Sequence, residues 1–263
     1  MNTMILDTLA EATKKRIEEQ KKHISPQDLK AKALNLPKKN FSFEKALRGE
    51  DIRFICEVKK ASPSKGLIAE DFPYIQIAKD YEAAGAAAVS VLTEPEYFKG
   101  NDQYVSEISE TISLPIIRKD FTIDEYMIYQ ATVMGASAVL LICSLLDTET
   151  IRKYIEICNT LGLSALVEAH DEQEVRSAVE AGARLIGVNN RNLKDFTVDI
   201  NNCIRLRSLV PDEITFVAES GIKNAEDINA LRKANVNAVL VGETLMRAKN
   251  KKAMLDELRG TIS

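Results

Sequence analysis

Three observations predict an α/β fold, a (β/α)8 TIM barrel with an N-terminal helical extension. First, eight apolar, strand-like runs follow one another from residue 53 onward, at 53–59, 87–92, 115–119, 138–143, 163–168, 185–189, 215–219 and 237–242. Second, longer stretches with helical spacing lie between them, for example 73–84, 123–134, 148–161, 172–181 and 225–233. Third, Gly85, Gly135, Gly162 and Gly182 each stand just before a strand, and Asn235 holds the same place before the last one. Glycine, and next asparagine, readily takes the left-handed conformation that ends a helix. Strand and helix alternating eight times over this length close a barrel. The rival doubly wound sheet usually has a glycine-rich phosphate turn after its first strand. Here the first strand runs into Lys60-Ala61-Ser62-Pro63-Ser64-Lys65-Gly66, without GxGxxG.

The chain reads as a single domain, 1–263, in which 1–50 form the extension and 51–263 the barrel. Met4 to Lys22 places Ile5, Leu9, Ala12 and Ile17 between charges, which predicts an amphipathic helix. A short helix follows around Phe43 to Leu47, and Pro26 and Pro37 are expected to break any helix between the two.

Composition narrows the function. Hydrophobic residues make up 45% and charged residues 28%, as in an ordinary globular enzyme. A net charge of −4 gives no general attraction to nucleic acid, so an anionic ligand would need local cations or backbone N–H groups. Cys56, Cys143, Cys158 and Cys203 form no CxxC pair and have no histidine cluster beside them, so no metal site is expected. A reducing cytoplasm suits such thiols. The N-terminus has no signal-peptide core, and no apolar run approaches a membrane span.

The polar residues concentrate at the C-terminal ends of the predicted strands, where barrels of this kind carry their active sites. Along the first strand Phe54, Cys56 and Val58 share one face, and Ile55, Glu57 and Lys59 the other. Charges buried at the end of an apolar strand need a purpose or a partner. The same phase puts Lys119 with Ile117, Glu168 with Leu166, and Asn189 with Gly187. Glu219, Ser220 and Gly221 end the seventh strand, and Gly242 and Glu243 the eighth. Loops after these two strands often bind phosphate through backbone N–H groups. Gly221 and Gly242 would allow that close approach, or else simply form tight turns. Phe98 and Phe121 would pack against an aromatic ligand or against loops. His170 reads as a loop residue with no partner, and Lys14-Lys15-Arg16 as a solvated helix face.

Several segments resemble the indole-3-glycerol-phosphate synthase family: Glu57-Val58-Lys59-Lys60-Ala61-Ser62-Pro63-Ser64, Thr93-Glu94-Pro95-Glu96-Tyr97-Phe98, Arg118-Lys119-Asp120-Phe121, Val167-Glu168, Gly187-Val188-Asn189-Asn190-Arg191-Asn192-Leu193 and Ala218-Glu219-Ser220-Gly221-Ile222. They occur in order along almost the whole chain. The resemblance implies a carbon–carbon lyase of tryptophan biosynthesis with no cofactor or metal. It would convert 1-(2-carboxyphenylamino)-1-deoxyribulose 5-phosphate to indole-3-glycerol phosphate, carbon dioxide and water. Lys119 is then the acid that protonates the ketose oxygen, with its pKa lowered by Lys59. Lys59 and Glu57 serve the dehydration, and Glu168 competes as base. Ser62, Asn189, Arg191, Glu219, Ser220, Gly221, Gly242 and Glu243 bind polar parts of the substrate or orient the lysines, and Phe98, Phe121 and Leu193 wall the aromatic ring. Glu243 stands where the family often has serine. The resemblance further implies a small phosphorylated substrate, no membrane or nucleic-acid partner, and a monomer able to associate with other enzymes of the pathway. The extension is expected to cover the barrel mouth or support the first loop.

Two other readings compete: another phosphosugar barrel such as phosphoribosylanthranilate isomerase, and a non-catalytic phosphosugar sensor. The isomerase usually pairs a cysteine with an aspartate, and Cys56 would point outward. That isomerase also has no need of Lys59, Lys119 and Glu168 together, and the intact catalytic candidates argue against a sensor.

Overall fold

The computed structural model describes residues 5–192 and 196–260. Among these residues, eight parallel strands close into a barrel: β1 (Arg53–Val58), β2 (Ala88–Leu92), β3 (Ile116–Lys119), β4 (Ala138–Ile142), β5 (Ser164–Ala169), β6 (Leu185–Asn189), β7 (Thr215–Glu219) and β8 (Ala238–Val241). Each lies within a residue or so of the run that predicts it. Neighbours follow chain order around the ring, and β8 pairs back onto β1. Period two then sorts the side chains. Ile55, Ile117, Leu140, Leu166, Val217 and Leu240 fill the interior, while Phe54, Cys56, Val58, Val139, Val167 and Phe216 face the helices.

The helical layer comprises α4 (Tyr74–Ala83), α5 (Asp102–Ser109), α6 (Glu125–Val133), α7 (Thr148–Leu161), α8 (Glu172–Glu180), α9 (Asn201–Arg207), α10 (Ala225–Lys233), α11 (Glu243–Arg247) and α12 (Lys251–Arg259). Asn101, Asp124, Asp147, Asp171, Asn224 and Asn250 cap the N-termini of their helices with side-chain oxygens. The positions flagged before the strands, Gly85, Gly135, Gly162, Gly182 and Asn235, all take positive φ.

The extension wraps the barrel from mouth to floor. Its first helix, α1 (Ile5–His23), buries Leu6, Leu9, Thr13 and Ile17 along one stripe. Pro26 starts a helix instead of breaking one: it opens α2 (Pro26–Leu34), whose N-terminus is capped by the Ser25 hydroxyl. Proline is well suited to a first turn, where its missing N–H has no partner to lose. α2 packs on α6, and the chain then crosses the end of α7, where Phe41 N–H donates to Gly162 O at 2.8 Å. The last of the three, α3 (Ser42–Ala46), drives Phe43 and Leu47 into the lower end of the barrel among Ala88, Ala138, Leu185 and Ala238. Ser164 Oγ at the start of β5 accepts the Glu44 N–H at 3.2 Å, and Glu44 pairs with Arg184 just before β6.

Phe43 is 0% exposed and serves as the floor of the interior. Truncation to alanine leaves a void that a closed barrel relaxes poorly. Phe43→Ala should lose about 3–5 kcal/mol, read as a lower midpoint in urea or guanidinium unfolding. An unchanged midpoint would show that the extension does not seal the barrel.

Candidate active site

The last inward-facing positions of β1, β3, β5, β6 and β7 are Glu57, Lys119, Glu168, Asn189 and Glu219. Asn189 and Glu219 are register partners, and Glu168 pairs with Gly187, two residues before Asn189. Directly beneath lie apolar side chains that exclude water, so charge at this level must be matched locally. Gly187 gives the room required. A Cβ there would stand 2.2 Å from Glu219 Oε1, and one at Gly242 would stand 2.5 Å from Glu57 Oε1.

Two lysines and three carboxylates meet in this layer. Lys59 Nζ, just beyond β1, lies 2.5 Å from Glu57 Oε1, and Ser90 Oγ donates to Glu57 Oε2 at 3.2 Å. Lys119 Nζ lies 3.3 Å from Glu168 Oε2 and 3.7 Å from Glu219 Oε2. The carboxylates are buried, whereas both ammonium groups reach the cavity. Burial alone would pull the Lys119 pKa down, but Glu168, Glu219 and Glu57 outweigh it and hold it above the ordinary lysine value. The expectation that Lys59 depresses Lys119 is therefore corrected. The surrounding carboxylates outweigh the one like charge.

Burial would raise the Glu57 carboxyl, yet Lys59 and Lys119 bring it below its ordinary value. Glu168 is lowered in the same way, against burial, by Lys119 and His170 and by hydrogen bonds from Lys119 and Asn189. Glu219 goes the other way. Burial and the neighbouring Glu168 push it up to about 8, and Lys119 offsets only part of this. Its Oε1 is buried without a hydrogen-bond partner. With Glu219 protonated, two ammonium groups face two carboxylates.

The cavity above this layer has a volume of about 470 Å³. On one side Ser220 and Gly221 both take positive φ, turning the chain sharply after β7. Gly242 and Glu243 open α11 beside it, and the Glu243 carboxylate turns aside to Arg247 at 3.1 Å and Lys65 at 3.6 Å. Its side-chain charge is thus engaged by two cations. Across the ring, Phe98 and Phe121 pack with centroids 6.0 Å apart. Ser62 belongs to a short antiparallel ladder, Ala61–Ser62 with Gly66–Leu67, at the cavity edge. The Arg191 side chain also lines the cavity, and its backbone N–H donates to Asn189 Oδ1 at 3.0 Å. Leu193 lies outside the described residues. No cluster of metal-binding side chains occurs among the described residues.

Two features escaped the sequence reading. Arg16 is no solvated charge: its guanidinium grips both Asp120 oxygens at 2.8 Å, while Lys14 and Lys15 are exposed. Asp120 also takes hydrogen bonds from Thr93 at 2.5 Å and Arg118 at 3.4 Å, so α1 is tied to the residue after Lys119. Helical spacing from Leu9 and Thr13 carried the signal, since it puts Arg16 beside the buried stripe. Ile5, Leu6 and Leu9 of α1 line the cavity, so the extension does cover the mouth. The second feature is His170, read as unpartnered, whose ring lies between Glu168 and Glu174.

A closed barrel with an acid–base cluster at the C-terminal ends of its strands defines a (β/α)8-barrel enzyme. A sequence model of indole-3-glycerol phosphate synthase matches residues 6–258. The indole-3-glycerol phosphate synthase of Ruminiclostridium cellulolyticum is 61% identical over 98% of this chain and 100% of its own length. That of Endomicrobium trichonymphae is 52% identical over 97% and 100%. The chain belongs to the indole-3-glycerol phosphate synthase family. Among solved structures, 3-hexulose-6-phosphate synthase superposes with a TM-score of 0.64 at 15% identity, covering 81% of this chain and 100% of its own. Phosphoribosylanthranilate isomerase of Thermotoga maritima gives 0.57 at 15% identity, over 80% and 99%. These two likenesses establish the shared barrel and nothing about activity.

The raised Glu219 has a consequence for stability. The folded state holds its proton more tightly than the unfolded chain, so this contribution is complete below the ordinary carboxyl value and is lost as pH rises through about 8. Glu219→Gln removes the titration. Its melting temperature relative to the parent should climb between about pH 5 and pH 8. A difference that is flat with pH would contradict the assignment.

Proposed function

We propose that the cavity binds 1-(2-carboxyphenylamino)-1-deoxyribulose 5-phosphate and converts it to indole-3-glycerol phosphate, carbon dioxide and water, a step of tryptophan biosynthesis. One observation carries the site assignment. Lys119 lies among buried carboxylates on the floor of a cavity with a backbone cradle on one side and an aromatic pair on the other. The cradle follows β7 and β8 and the aromatic pair follows β2 and β3, with β1 between them in the ring, so an elongated substrate crosses the mouth above the acid–base layer. The phosphate sits against the N–H groups of Ser220, Gly221, Gly242 and Glu243, and the anthranilate ring against Phe98 and Phe121. Asn189 and Ser62 take hydroxyl groups of the sugar-derived chain, and Arg191 meets an anionic group.

The aromatic carbon bearing the carboxylate attacks the ketose carbonyl, forming the new carbon–carbon bond. Lys119 donates its proton to the carbonyl oxygen as that oxygen gains charge. The carbon–carboxylate bond then breaks, carbon dioxide leaves, and its electron pair restores the ring. In the last step the new hydroxyl leaves as water with a proton from Lys59, and Glu57 takes a proton from the ring being closed. Glu168 is the alternative base through its contact with Lys119. The Lys119 cation is strongly held in the free enzyme, so proton transfer waits for the more basic alkoxide. Closing of the Ser62–Gly66 loop over the ligand would keep water out.

The chain is taken to act as a monomer able to associate with other enzymes of the pathway. The four cysteines are free thiols, which suits a reducing compartment such as the cytoplasm.

The chain contains no Trp, so indole emission appears against a dark background. The purified protein should develop that emission when given the arylamino ribulose phosphate, and its absence would overturn the proposed reaction. Lys119→Ala should lower kcat by about 10²–10⁴-fold. Near-normal turnover would remove Lys119 from the acid role and leave the reaction standing.

A further inference from the structure

His170 follows the end of β5, two positions after Glu168, and the reaction above leaves it unused. Its ring bridges two carboxylates. Nε2 is buried with no hydrogen-bond partner and lies 3.4 Å from Glu168 Oε1. Lys119 meets the same carboxylate through its other oxygen, Oε2. On the far side of the ring, Nδ1 lies 3.0 Å from Glu174 Oε2 of α8, and the His170 backbone N–H donates to that oxygen at 2.8 Å. Ser144, after β4, donates its hydroxyl to Glu174 Oε1 and lies 3.4 Å from Nδ1. Asn202 of α9 donates to the His170 carbonyl at 3.0 Å. Ring and backbone are thus fixed from three neighbouring elements. The side chain is only 16% exposed, against 19% for Glu174 and 4% for Glu168.

Two buried carboxylates, Glu168 and Glu219, flank one ammonium, and they cannot both ionise without cost. Something must decide between them. Glu168 has the imidazole at Oε1 and an amide hydrogen bond from Asn189. Glu219 has an unpartnered Oε1 against Gly187, which offers no side chain. We propose that His170 is a positioning residue: held protonated between Glu168 and Glu174, it acts as a second cation on Glu168. It thereby sets Glu168 as the ionised carboxylate and Glu219 as the one that keeps the proton.

The groups around the ring favour this state. Glu168 and Ser144 face it from the barrel side, Glu174 from α8, and Glu219 acts at longer range from β7. The Cys143 thiol donates to the Glu174 carbonyl at 3.5 Å and brings no charge. Burial works against the imidazolium, but the hydrogen bond with Glu174 and the charges of Glu168 and Glu174 prevail and raise its pKa above the ordinary histidine value. In the proposed reaction the base beside Lys119 then stays ionised at a pH where an equally buried carboxyl would hold its proton.

The proposal rests on Glu168 belonging to the acid–base site, and one arm of its test needs no turnover. The chain has two histidines, His23 and His170, so carbon-13 labelling of histidine gives two ring signals that His170→Gln assigns. The His170 midpoint should lie above about 6.5 and fall by on the order of one unit in Glu168→Gln. A midpoint that Glu168→Gln leaves unmoved would overturn the pairing, whatever the enzyme catalyses. The second arm is the pH profile of kcat/KM. Losing the cation raises the Glu168 pKa, so the acid limb of His170→Gln should move up by on the order of one pH unit, with the loss greatest at low pH. Glu174→Gln keeps the ring, loosens the proton on it and should move the limb the same way, which covers a His170 variant that folds poorly. A uniform loss with the limb unmoved in both variants would mean that His170 only supports the loop.

Discussion

The structure depends on a balance of charge around one ammonium at the floor of the cavity. Lys119 projects from β3 over an apolar barrel interior, where an unmatched cation would be costly. Glu168 and Glu219 reach it from β5 and β7, and Glu57 brings Lys59 from β1. The barrel makes this possible, because only a closed ring of parallel strands directs residues from four separate segments inward. The glycines fit the same need. Gly187 and Gly242 are small because a carboxylate occupies the space a side chain would take.

Support for that cluster comes from outside the barrel sheet. Arg16 on α1 holds Asp120, the residue after Lys119, and Arg118 ties Asp120 in turn to Asp102 at the start of α5. The same α1 helix presents Leu6 and Leu9 to the cavity, so one element both roofs the substrate space and fixes the strand end that carries the acid. At the opposite end α3 seals the interior with Phe43. The extension is thus part of the site's architecture at both ends of the barrel.

Much of this was legible in the sequence because period and position are strong signals. Alternation along β1 separated Glu57 from Cys56 correctly, and the glycine or asparagine before each of five strands marked real helix ends. What stayed hidden had weak local signals. α5 buries only Val105 and Ile108, and α9 and α11 are short, so their apolar stripes hardly repeat. Pro26 looked like a breaker because proline reads alike at a helix start and at a helix end. Arg16 looked solvated and His170 unpartnered because their partners, Asp120 and Glu174, meet them through packing between elements or through a turn after a strand end. The direction of the Lys119 shift needed distances: the sequence names the charges but not which are nearest.

In this charge balance one proton resides on Glu219 while Glu168 and Glu57 stay ionised, so that two ammonium groups face two carboxylates. Infrared difference spectroscopy of the parent protein against Glu219→Gln reads this directly. At mildly acidic pH the parent should show a protonated-carboxyl C=O band that the variant lacks, and the band should titrate away near pH 8. No such band, or one that disappears around the ordinary carboxyl value of about 4.3, would contradict the account.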